Sequence, residues 1–169
     1  GNALIVMAWV DRQVSTPALL RNWTTVWIGN LAGALLIAAA ISQTSLITGG
    51  FGTTAAKIAA GKMALAPLDI FVRAILCNAL VCLAVWLSFA ATDVAGKILA
   101  IILPVAAFVA LGLEHSIANM FLLPLGLMAG AEGSAALAAQ NIAIATAGNI
   151  LGGAGGVALA YRFAFKPQV

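Results

Sequence analysis

Charge is what this chain has least of. Only 8% of its 169 residues are Asp, Glu, Lys or Arg while 63% are hydrophobic, against about 25% charged and about 45–50% apolar in an average soluble domain. That composition excludes an ordinary soluble domain and implies an integral membrane protein. The eight Lys and Arg stand singly, with no basic patch or stripe, so the formal charge of +3 carries no signal for nucleic acid. Cysteine is scarce too: Cys77 and Cys82 share one apolar segment, on different helix faces and too far apart in rise for a disulfide, so they read as small buried hydrophobes. Two such ligands do not make a metal site, and no cofactor is expected. The chain opens Gly1-Asn2-Ala3 without an initiator Met, a basic n-region or a small-residue cleavage site, so no signal peptide is expected and the start reads as an interior position.

Long apolar runs are abundant. A helix that crosses a bilayer needs about 20 apolar residues, and Trp23 to Ile41, Ile70 to Ala91 and Ala135 to Phe165 meet this plainly. Ile98 to Met128 is too long and too interrupted: Pro104, Gly112, Glu114-His115-Ser116, Pro124 and Gly126 predict two half-helices joined by a break around Leu111 to Asn119. Backbone freed at that depth must line a cavity or contact protein. Ala3 to Val10 is too short to span and reads as the end of a helix. Gln43 to Pro67, with Lys57 and Lys62, reads as a connection on one side of the membrane, partly helical from Thr54. Arg12, Arg21, Lys97, Arg162 and Lys166 then fall together on the other side, which the positive-inside rule makes cytoplasmic, together with the C-terminus.

The sequence also repeats. Asn22, Gly29, Asn30 and Gly33 recur as Asn141, Gly148, Asn149 and Gly152, at a constant offset of 119 residues. Both copies lie in spanning segments separated by two crossings, so the helices run in opposite directions, the signature of an inverted repeat with its site at the midplane. The alternative is chance recurrence of Gly and Asn in close-packed helix interfaces.

Between Lys97 and Glu132 the titratable side chains are Glu114 and His115 alone. An ionisable group at that depth costs about 2.5–3.5 kcal/mol on insertion scales unless it faces protein or water. His115 is the only histidine and the side chain best suited to exchange a proton near neutral pH; a neutral ring bonded to backbone is the plainer alternative. Glu114 is expected to accept backbone N–H groups where the helix breaks, or to join the proton path. Asn78 and Asn149 are amides able to meet His115 at the centre, or simply to hold helices together. Lys62 precedes the next spanning helix, where a cation raises the local concentration of a small anion; a solvated loop lysine is the alternative.

LGLEHSIANMFLLP and ILCNALVCLAVWLS, with RNWTTVWIGNLAGALL and ATAGNILGG, resemble the signature segments of the formate/nitrite transporter family. The resemblance covers essentially the whole chain. It implies an all-α membrane protein with the aquaporin-like inverted-repeat bundle, a broken pore helix and assembly as a homopentamer in the cytoplasmic (inner) membrane. This chain would then be an incomplete protomer: the end of helix two at 1–10, helix three at 23–43, helix four at 68–91, broken helix five at 98–130 and helix six at 135–165. A pore-lining Thr of the family's first loop has no counterpart in it. By the same resemblance His115 is the central pore histidine, Asn78 and Asn149 lie near it, Lys62 matches a vestibule lysine and Glu114 the acid before the histidine.

The implied function is a channel or transporter for small monovalent weak-acid anions, formate or nitrite first, with protons exchanged at His115 and the lipid bilayer as surroundings. It is not an enzyme; adjacent His115 and Ser116 do not meet in nucleophile–base geometry. The competing reading is a helical membrane anchor subunit of a redox enzyme, with His115 as a haem ligand.

Overall fold

The computed structural model describes residues 2–164, all of whose regular structure is helical. Eight α-helices follow in order: α1 Asn2–Val10, α2 Thr16–Ser42, α3 Gly50–Met63, α4 Pro67–Ala90, α5 Val94–Ala110, α6 Ser116–Met128, α7 Ala135–Ile150 and α8 Ala160–Ala164. A 3-10 turn at Ser45–Thr48 precedes α3, and a π-helical stretch at Leu151–Leu159 joins α7 to α8 without interruption. Lys166 and the end of the last apolar run lie outside the described residues.

Three helical segments are long and apolar enough to cross a membrane: Thr16–Ser42, Pro67–Ala90 and Ala135–Ala164. The first starts well before Trp23, because Ser15 caps it by accepting from the Ala18 N–H and Pro17 occupies the first turn, where a missing N–H is harmless. Pro67 plays the same part for α4, Asp93 caps α5 through the Gly96 N–H at 2.8 Å, and Ser134 caps α7. Capping sets where each helix begins, and hydropathy alone misses it. Large apolar side chains stay exposed, such as Leu36 at 72% and Val94 at 74%.

The helix α4 sits centrally, packed against α5, α7 and the π stretch, while α6 packs against α2, α3 and α7. Glycines set these approaches. A Cβ on Gly148 would strike the Ala74 methyl and the Phe71 carbonyl, and one on Gly152 the Ile75 carbonyl, so α4 and α7 meet at backbone distance. Gly126 of α6 is likewise pressed against Ala55 and Ala59 of α3. The segment 43–67 is therefore more than a surface connection: α3 begins at Gly50 and buries Gly52, Ala55, Ala59 and Met63.

The two repeat copies meet directly. Trp27 Nε1 donates to Thr146 Oγ1 at 3.1 Å across a separation of 119 residues, so these two residues are themselves repeat mates. Arg162 pairs with Asp11 just before α2. Contacts that descend α7–α8 while ascending α2 establish that the two run in opposite directions.

Candidate functional site

The break between α5 and α6 builds the site. After α5 the chain turns at Gly112 with φ +62°, and two hydrogen bonds close the helix end, Gly112 N–H to Val109 O and Leu113 N–H to Phe108 O, both 3.0 Å. This is a Schellman closure, which needs a residue tolerant of the left-handed region. Gly112 O also lies 3.5 Å from Arg73 Nη1, whose Nε holds Asp69 at 2.8 Å. The break is shorter than the sequence suggests. Ser116 to Asn119 already form the first turn of α6, and Pro104 and Pro124 lie inside helices.

The exposed N-terminus of α6 has two partners. His115 caps it, with Nδ1 accepting from the Ala118 N–H at 3.4 Å, so a neutral ring in this geometry carries its proton on Nε2. Among the described residues Nε2 makes no hydrogen bond, and the ring stacks near Phe108 with centroids 5.9 Å apart. Asn149 supplies the second partner. Its Oδ1 accepts from the Ser116 N–H at 2.8 Å, while its Nδ2 donates to Glu114 O at 3.0 Å and Ala74 O at 2.8 Å. One buried amide thus ties the break to α4 and α7, and satisfies backbone that would otherwise cost several kcal/mol, on the order of a lost hydrogen bond each. Asn78 Nδ2 in turn donates to Asn149 O at 2.5 Å.

Consecutive residues face different surroundings. The Glu114 side chain, 0% exposed, turns away from the imidazole and meets Lys62 Nζ at 2.7 Å. Its other oxygen accepts from Asn119 Nδ2 at 2.6 Å and Asn141 Nδ2 at 3.2 Å. Asn119 Nδ2 also reaches Asn141 Oδ1 at 2.7 Å, and Asn141 Nδ2 reaches Lys62 O at 3.2 Å. A buried charge is held in place by one cation and two amides.

This corrects two expectations. Glu114 does not take the backbone N–H groups of the break; Asn149 and His115 do, because their side chains reach the α6 N-terminus while Glu114 points toward α3 and α7. Lys62 is not a solvated loop lysine, and its cation is paired. It stands in the last turn of α3, 15% exposed at its side chain, and its charge is compensated by the carboxylate it touches. Asn119 and Asn141 were missed as site residues. Asn141 carried a signal as the repeat mate of Asn22, whereas Asn119 looked like one more polar residue near the break.

His115, Asn78 and Asn149 line one cavity of about 390 Å3, with Asn30, Ser116 and Thr146 as its other polar residues. Trp23, Trp27, Val81 and Val85 contribute apolar wall. Lys62 and Glu114 do not line it; their network stands behind the break. Cys77 and Cys82 are free and buried.

An apolar helix pair broken at a polar cluster, between inverted repeats, is the arrangement found in multi-pass membrane transport proteins. The sequence model described as "Formate/nitrite transporter" matches residues 1–163, and the chain belongs to the formate/nitrite transporter family. It is 39% identical over 185 residues to a "Probable formate transporter" of Methanothermobacter thermautotrophicus, covering 99% of this chain and 68% of that protein. It is 37% identical over 131 residues to the "Formate channel FocA" of Escherichia coli (strain K12), covering 76% of this chain and 46% of that one. Among solved structures an "FNT family ion channel" superposes with a TM-score of 0.86 at 29% identity, covering 97% of this chain and 67% of that one. A "Pentameric formate channel with formate bound" gives 0.77 at 34% identity, covering 86% and 66%. The chain thus spans between about half and two thirds of the length of these relatives.

Proposed function

We propose that this chain forms the conducting region of a channel or transporter for small monovalent weak-acid anions, with formate or nitrite as substrate, and that His115 exchanges protons with the permeating species. One observation carries the reading. The only histidine of the chain caps the half-helix α6 through Nδ1, leaves Nε2 without a partner among the described residues, and lines the cavity at the break. To hand over a proton the ring must first become imidazolium by taking one at Nδ1, which releases the Ala118 N–H; the Nε2 proton can then pass to a molecule in the cavity and leave a neutral ring protonated on Nδ1.

The surroundings favour a neutral passenger. Apolar walls of Trp23, Trp27, Val81 and Val85 offer no compensation to a bare anion, whereas its conjugate acid loses far less on leaving water. The imidazolium gives its Nε2 proton to the monovalent anion, which crosses as the acid and releases that proton to water beyond, and the neutral ring is recharged by a proton from water. Glu114, Lys62, Asn119 and Asn141 act as positioning residues, fixing the backbone on which His115 stands. Names of relatives that include formate channels, one of them pentameric, support formate as substrate and a homopentamer as the assembly. The loop 43–67 would then face outward, with the C-terminus cytoplasmic and the cytoplasmic membrane as its location.

Uptake into proteoliposomes of formate, nitrite and lactate, measured side by side, tests the reading. Selective uptake of one of them supports it, and a leak no greater than in protein-free vesicles refutes it. Nothing in the site favours the haem-anchor alternative, which a Soret band in the purified protein would revive.

A further inference from the structure

Two asparagines related by the repeat line the cavity beside His115, and only one of them is used up by the protein. Asn149 commits its amide to the Ser116 N–H and to the carbonyls of Ala74 and Glu114. Asn30, its mate in α2, lines the same cavity from the other repeat and also a second space of about 420 Å3 that shares Asn30 and Ile117 with the first. The half-buried Asn30 donates one Nδ2 hydrogen to Val26 O, 2.8 Å away and one turn back. Among the described residues nothing else engages this amide. One N–H and an Oδ1 with both lone pairs are left over, in a wall otherwise made by Trp27, Val26 and Ile117.

A donor and an acceptor side by side complement a molecule of the form HO–X=O. We propose that Asn30 is a specificity-determining residue that takes the protonated weak acid by paired hydrogen bonds: the acid's O–H donates to Oδ1, and the remaining Nδ2 hydrogen donates to the acid's second oxygen. The proposal rests on the transport reading above and names the form of the substrate it recognises. An anion brings no donor for Oδ1, so in its place the two oxygens face each other with nothing between them. Formic and nitrous acids both carry the HO–X=O pattern. A site that reads a hydrogen-bonding pattern discriminates far more sharply than an apolar slot, which separates solutes by size alone. The i−4 bond to Val26 serves orientation, since it fixes which amide edge faces the cavity.

The test is formate uptake by the native chain in proteoliposomes with two neutral competitors. Formamide carries the same adjacent donor and acceptor as formic acid, and N,N-dimethylformamide lacks the donor. Formamide should compete at least about fivefold better than dimethylformamide, the equivalent of one net hydrogen bond. In Asn30→Leu, which keeps the side chain's shape, that preference should vanish and the half-saturation concentration for formate should rise by at least about fivefold; its disappearance separates recognition from the difference in competitor size. Equal competition by the two in the wild type overturns the proposal. So does an assembled Asn30→Leu whose half-saturation stays within about twofold of wild type, a change too small for one lost hydrogen bond. Where Asn30→Leu does not assemble, Asn30→Ser is measured instead, and failure of both makes Asn30 a packing residue and overturns the proposal as well. Absence of both formate and nitrite uptake by the wild type is a distinct result, because it refutes the transport reading before Asn30 is at issue.

Discussion

Removing Lys62 should do more damage to stability than to anion capture. Lys62→Met deletes the ammonium 2.7 Å from a carboxylate that is 0% exposed. Removing one partner of a buried pair costs about 3–5 kcal/mol, because the other is left uncompensated. Two amide donors remain on Glu114, from Asn119 at 2.6 Å and Asn141 at 3.2 Å, which places the expected cost near 3 kcal/mol, at the low end of that range. Glu114→Gln should cost less, about 1–3 kcal/mol, since the Lys62 side chain keeps some access to water along its stem. The double variant removes both charges at once and should cost less than the sum of the singles by about 1–3 kcal/mol. The four Trp provide the signal: unfolding of the purified protein is titrated with SDS and followed by fluorescence for the wild type, both singles and the double. Additive costs within about 0.5 kcal/mol would refute the pairing. A folded Lys62→Met protein of wild-type stability, with only its half-saturation concentration raised, would return Lys62 to the role of a free steering cation.

Three further outcomes are expected. His115→Ala should abolish or strongly shift the pH dependence of formate or nitrite uptake, and an unchanged pH profile would remove His115 from the proton path. Gly152→Ala should destabilise by about 1–3 kcal/mol, because the new methyl meets the Ile75 carbonyl and not a movable side chain; its repeat mate Gly33→Ala, with nothing within 4 Å, should be neutral or gain up to about 1 kcal/mol from helix propensity. SDS unfolding reads both, and equal effects would mean the close approach of α4 and α7 is not what Gly152 serves. Asn149→Leu should lose assembled protein altogether, since it strands the Ser116 N–H and the Glu114 carbonyl and removes the tie to α4 at the Ala74 carbonyl; an eluting oligomer of wild-type size would contradict this.

The spans and the break were legible because each has a local cause. Apolar length marks α2, α4 and α7, and Gly112 followed by Glu114-His115 interrupts a run that would otherwise cross. The repeat was legible as well, because Asn and Gly are conspicuous in apolar helices, and the Trp27–Thr146 bond joins its two copies. Partner choice was not legible. Lys62 and Glu114 are 52 residues apart, and whether a lysine beside a helix start meets water or a carboxylate depends on how far α3 sinks against α6. That depth is set by small residues, Ala55 and Ala59 against Gly126, whose effect lies in the contact and not in any one residue's character. The same holds for Glu114: its position beside the break suggested backbone duty, and only the direction of its side chain assigns it to Lys62.

The π-helical stretch Leu151–Leu159 gives the last long helix two phases. An i→i+5 ladder closes each ring with one residue more than an α-helix uses, so residues before and after it are not in the register a continuous α-helix would impose. Before it stand Thr146 and Asn149, which serve the cavity and the break. After it stand Tyr161, stacked on Trp86 with centroids 4.6 Å apart, and Arg162, joined to Asp11. Forcing the stretch into α geometry with all its residues kept would turn everything downstream, carrying Tyr161 off Trp86 and Arg162 off Asp11 while leaving Asn149 where it is, whereas deleting one residue within it would let the ladder relax toward α geometry with the downstream bearings largely kept. The stretch therefore works as a phase coupler, through which one helix meets two sets of neighbours whose angular positions a single α period could not match.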